Sequence, residues 1–154
     1  MDDNKKPTFE VNDTPIDRQI MARRKARYNC AAATLCGIMA ADTGDSDDDL
    51  LKHLSVGFAG GIGKTHEGNC GAILGAVLAL GMLSDGDDEK TSRLSAELFN
   101  DFKEKLGAVS CQDLKKRGEA VPCDLCCLTA GRKAYEILER EGRVSNFQHH
   151  HHHD

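Results

Sequence analysis

Cys70-Gly71-Ala72-Ile73-Leu74-Gly75-Ala76-Val77-Leu78-Ala79-Leu80-Gly81-Met82-Leu83 decides the fold. The run carries no charge and has no polar face, so as a helix it is apolar nearly all round. A helix of that kind belongs in the centre of a domain. Its 14 residues are too few to span a bilayer. Gly71, Gly75 and Ala79 recur four residues apart and form a stripe where a second helix can approach closely, within the chain or in a homodimer. Asn69 is a candidate cap for its first turn.

Upstream, Thr14 and Pro15 suit the start of a helix, or helix pair, that runs to about Asp42 with Ile16, Ile20, Met21 and Ala31–Leu35 as its apolar positions. Ser46-Asp47-Asp48-Asp49 places oxygen caps and carboxylates at the positive end of the next helix, whose apolar side is Leu50, Leu51 and Leu54. Downstream, the acidic break Asp85-Gly86-Asp87-Asp88 precedes an amphipathic helix through Leu94, Leu98, Phe102 and Leu106, ending at Gly107. Cys111–Lys116 makes a short helical turn or two, with a break at Gly118. Pro122 opens a last helix that ends near Gly142. No stretch sustains the period-two alternation of a strand. We therefore expect an all-α chain: one cysteine-rich domain over 15–142, with five or six helices around a buried helix at about 70–83. Residues 1–14 are expected to be disordered. Residues 143–154 form a tail in which His149 to His153 reads as an affinity tag.

The formal net charge of −5 offers no general pull on phosphates, which argues against nucleic acid as a partner. The absence of Trp weakens any case for aromatic cages. Met1–Pro7 lacks the apolar segment of a secretory signal, and no run is long enough for the membrane, so we expect a cytoplasmic protein. There the seven cysteines would stay reduced, and clustered thiols more often serve metal or redox chemistry. Gly60-Gly61-Ile62-Gly63-Lys64-Thr65 contains the Gly-Lys-Thr of a phosphate-binding loop, but Phe58 stands where the pattern needs its first Gly. Gly68-Asn69 would also interrupt the helix that such a loop must open. We read a glycine-rich connector.

Cys70 sits at the start of the central helix, where free N–H groups and the dipole favour thiolate. Cys123-Asp-Leu-Cys126 is a CxxC, and Cys123, Cys126 and Cys127 share one helix face near its N-terminus. Cys111 opens the short helix. Cys30 and Cys36 fall about 240° apart on a helix and cannot face one site; beside Leu35 and Met39, Cys36 is the one we assign to the core. Cysteines from four separate segments, three of them near helix starts, fit a converging sulfur site. His53 is expected at the surface, His66 could approach Cys70, and Arg23-Arg24-Lys25-Arg27 is expected on a solvated face balanced by the Asp cluster.

Asn29-Cys30-Ala-Ala, Gly60-Gly61-Ile-Gly63, Cys70-Gly71-Ala72-Ile-Leu-Gly75, Cys111-Gln-Asp-Leu114 and Cys123 together resemble the C_GCAxxG_C_C family of "putative redox-active proteins" over roughly residues 20–140. The resemblance implies a helical, cytoplasmic protein, with the family cysteines falling on Cys30, Cys70, Cys111 and Cys123. The central motif departs by one letter, reading Cys-Gly-Ala-x-x-Gly, and the last cysteine can also be read at Cys126 or Cys127. A similar module accompanies haem-binding sequence in split-Soret cytochromes, where it is associated with an iron–sulfur cluster. This chain has no CxxCH, so haem does not carry over. We thus expect electron transfer through an iron–sulfur cluster on Cys30, Cys70, Cys111 and Cys123 or Cys126, serving an unidentified redox partner protein. The alternatives are a thiol–disulfide or zinc-binding module without a cluster, and a helical interaction protein with structural cysteines.

Overall fold

A computed structural model describes residues 9–116 and 120–141. The expectations for residues 1–8, the break at Gly118, the helix end near Gly142 and the tail 143–154 lie outside the described residues. The described chain forms α1 (Pro15–Lys25), α2 (Cys30–Thr43), α3 (Asp48–Ser55) with a 3-10 turn (Val56–Phe58), α4 (Gly71–Leu83), α5 (Asp88–Leu106), α6 (Cys111–Lys116) and α7 (Cys123–Glu141). The protein is all-α: no strand occurs among the described residues, only an isolated antiparallel bridge between Asn69 and Ser110.

Among the described residues the stretch 15–42 is a helix pair, one of the two forms expected for it, divided at Ala26–Asn29, and the helices number seven beside the expected five or six. Arg27 turns into the left-handed region there with φ 72°, and Asn29 caps α2 by accepting from the Ala32 N–H at 2.9 Å. Caps elsewhere follow the chemistry of the sequence. Thr14 faces the Asp17 N–H, Asp47 and Asp87 cap α3 and α5, and Gly44 and Gly107 end α2 and α5 at φ 81°.

α4 is the centre, packed against α2, α5 and α7. Its small-residue stripe is covered by α2 within the same chain. A Cβ on Gly75 would overlap the Ala31 carbonyl, so only glycine lets the two backbones meet at this crossing. Ile73, Ala76, Ala79, Leu80 and Leu83 are buried there, joined by Leu35 and Ile38 of α2 and Leu128 of α7. Among the described residues no helix is long and apolar enough to cross a membrane.

The basic run is only half solvated. Arg23 pairs with Asp48 at 3.0 Å and Arg24 with Asp124 at 2.7 Å, while Lys25 and Arg27 are exposed. Asp48 also accepts from the hydroxyls of Tyr28 at 2.7 Å and Ser46 at 2.6 Å, tying α3 to the α1–α2 junction. Partial burial opposes its ionisation, but the bonds from Ser46, Tyr28 and Arg23 outweigh that and hold its pKa below the ordinary value. Its stabilising contribution is therefore complete above the unfolded carboxylate value of about 3.9 and is lost as pH falls through the lower folded value. Asp48→Asn should lower stability at neutral pH by about 1–3 kcal/mol and flatten the acid limb. Urea melts of both proteins, from neutral to about pH 3, check this.

Candidate thiol site

Four helix starts converge on one small cavity. Cys30 opens α2, Cys70 is the N-cap of α4, Cys111 opens α6 and Cys123 opens α7. Cys126, one turn along α7, completes a lining of five thiols, closed by Gly60, Leu114, Lys115 and Val121. Two backbone bonds beside the Asn69–Ser110 bridge set the register. The Cys70 N–H donates to Val109 O at 2.8 Å and the Cys111 N–H to Gly68 O at 3.0 Å, which lays the two cysteines side by side. The cap of α4 is consequently Cys70 itself, while Asn69, the expected cap, is taken up in the bridge.

The thiols differ in their surroundings. The Cys126 thiol donates to Cys70, and this is the strongest influence pulling Cys70 down to about 7. Burial opposes it, while the N–H groups of Ala72 and Ile73 and the Lys115 ammonium add to it. As the donor in that contact, and because it is buried, Cys126 is pushed well above the ordinary thiol value. Burial and the nearby Cys70 charge raise Cys30, against the Gly60 N–H that faces its sulfur. Burial also raises Cys111. Lys115 Nζ stands 3.9 Å from Cys123 Sγ.

Cys36 and Cys127 lie away from the cavity. Burial pushes Cys36 up to about 12. Cys127, fully buried and also raised by burial, turns toward α2 and donates to the Cys30 carbonyl at 3.7 Å. Of the three cysteines opening α7, Cys123 and Cys126 thus line the cavity. His53 is exposed and bonds the Asp49 carbonyl. His66 meets Cys111 rather than Cys70, its Nδ1 standing 3.2 Å from Cys111 Sγ. Lys115 is a site residue that sequence reading passed over. It lies four residues after Cys111 on the same face of α6, and that spacing was the available signal.

The glycine loop serves as a wall. The N–H groups of Ile62, Gly63, Lys64 and His66 donate to the carbonyls of Phe58, Gly57, Ala59 and Gly60, so none of these four is free to cradle phosphate. Gly71 is needed for close approach, since a Cβ there would stand 2.7 Å from Cys30 Sγ and 3.2 Å from Phe58 O. Gly71→Ala should destabilise the protein by about 1–3 kcal/mol and speed alkylation of Cys30. Gly57→Ala, with nothing within 4 Å of the added carbon, should change neither. Urea melts and alkylation rates of the two variants separate the cases.

The cavity measures about 40 Å³, far below the roughly 300–1,000 Å³ of pockets for organic ligands. Its chemistry is sulfur chemistry at short range. Among the described residues, no three His, Cys, Asp or Glu side chains are gathered tightly enough to hold a single metal ion. The soft donor set, with N–H groups facing two of the sulfurs, suits soft-metal or thiol redox chemistry.

Neither a curated protein nor a solved structure is significantly similar to the chain. The family model described as "Putative redox-active protein (C_GCAxxG_C_C)" matches residues 28–140, which include all seven cysteines, the helices α2 to α6 and all but the last residue of α7. With most of its length matched and the motif cysteines lining one cavity, the chain belongs to the C_GCAxxG_C_C redox-active family.

Proposed function

We propose that the protein transfers electrons through an iron–sulfur cluster held by Cys30, Cys70, Cys111 and one of Cys123 or Cys126. The observation that carries this reading is the convergence of five thiols, delivered by four helix N-termini, on one cavity too small for an organic substrate. A bound cluster supplies electron-transfer chemistry at a potential set by hydrogen bonds to sulfur and by exposure. The chain's own residues would set both. The N–H groups of Gly60, Ala72 and Ile73 face sulfur, Lys115 brings positive charge, and Leu114 and Val121 keep water from the cavity wall.

The five-thiol lining, with N–H groups facing sulfur, supplies the donor number and softness that a cluster needs. Such a site needs reduced thiols, as a cytoplasmic setting provides, and a redox partner protein to exchange electrons with. Anaerobic reconstitution with ferrous iron and sulfide tests the ligand set. Cys111→Ala should lower retained iron by about tenfold or more, while Cys127→Ala should keep it. Equal retention in both would contradict the assignment.

A further inference from the structure

The five cavity thiols are graded in depth. Cys30 and Cys123 are half-buried, whereas Cys70 and Cys126, lining the same cavity, are 6% and 3% exposed; of the two half-buried thiols, Cys123 is the one beside Lys115. Cys123 and Cys126 lie one turn apart on α7, a separation that a disulfide can bridge. The half-buried Cys123, its α7 neighbour Cys126 and the buried Cys70 thus share one cavity.

We propose that the metal-free protein has a second activity, thiol–disulfide exchange with a low-molecular-weight disulfide, in which Cys123 is the entry thiol and Cys70–Cys126 the final pair. This rests on the same cavity cysteines as the cluster reading but needs no metal. In the first step the Cys123 thiolate attacks one sulfur of the external disulfide, forming a mixed disulfide and releasing the first small thiol. Cys126 then attacks the Cys123 sulfur, forms Cys123–Cys126 and releases the second. Cys70 attacks Cys126, so that Cys70–Cys126 forms and Cys123 returns as a thiol. Two protein thiols lose two electrons and two protons, and one disulfide becomes two thiols. The Lys115 ammonium, 3.9 Å from Cys123 Sγ, stabilises the negative charge spread over the sulfurs in the first step. Burial of the final pair explains why it outlasts the others: an incoming thiol reaches Cys123 far more readily than Cys70 or Cys126.

The experiment treats the metal-free full chain with glutathione disulfide, quenches with an alkylating agent at intervals and maps disulfides by peptide mass spectrometry. The expected result is a transient glutathione adduct on Cys123, followed by accumulation of Cys70–Cys126. Cys123→Ser should slow formation of that pair by about tenfold or more without changing which pair forms. Accumulation of Cys123–Cys126 or Cys30–Cys70 instead would overturn the proposal, as would an unchanged rate in Cys123→Ser. Because the wild-type map requires no variant and no metal, a failure here leaves the cluster reading standing. Formation of Cys70–Cys126 in a protein that never binds iron would leave the exchange activity standing alone.

Discussion

Replacing Arg132 with Leu is expected to destabilise the protein by about 3–5 kcal/mol, because it strands a buried carboxylate. Asp17 has no exposed surface and accepts from Arg132 Nε at 2.9 Å and Nη2 at 2.6 Å, with the Asn12 N–H as a third donor at 2.8 Å. The pair joins α1 to the middle of α7, and α7 carries Cys123 and Cys126 at its N-terminal end. Removing the guanidinium leaves the charge out of water with one backbone donor. Asp17→Asn should cost less, about 1–3 kcal/mol, since the one-third-exposed guanidinium keeps contact with solvent and with the Glu10 carbonyl. Thermal melts should show a drop of about 10–20 °C for Arg132→Leu and a smaller one for Asp17→Asn. Equal, slight drops would mean that this pair does not hold α1 in place.

The second large effect is functional. Cys70→Ser should abolish cofactor retention while leaving the helical fold largely intact, because Ser nearly preserves volume and serves as an N-cap, whereas its hydroxyl is a poor ligand for soft metal. Cys36→Ser should do the reverse. It exchanges a thiol with no exposed surface for a hydroxyl that Asp48 and Ser46 stand close enough to bond, costing about 0.5–1.5 kcal/mol, and keeps the cofactor in whatever protein folds. Bound iron and helical circular dichroism, measured on both, separate site from core. Retention by Cys70→Ser with loss in Cys36→Ser would invert the assignment.

Much of this was legible in the sequence, for physical reasons. The 70–83 run could hide its apolar surface only at the centre of a domain, and α4 is there. A step of six residues from Cys30 to Cys36 turns them to different faces, and one meets the cavity while the other meets the core. What stayed hidden depends on distant segments. A helix pair was expected over 15–42, but nothing in Lys25-Ala-Arg-Tyr-Asn29 marks where it divides, and Arg27 adopts φ 72° there beside tertiary pairs such as Arg24 with Asp124. Asn69 had the right chemistry for a cap, yet pairing with Ser110 claimed it. His66 was placed near Cys70 by sequence distance, but the left-handed residues from Gly60 to Lys64 carry the chain round to Cys111. Local chemistry was readable; loop geometry, which decides neighbours, was not.

The central claim is that these thiols hold an iron–sulfur cluster, and its most direct test is the iron and acid-labile sulfide content of protein isolated anaerobically from iron-replete cells. The account predicts iron and sulfide in matching amounts, with visible absorption that is lost in Cys70→Ser. Colourless protein, free of iron and sulfide under those conditions, would contradict it.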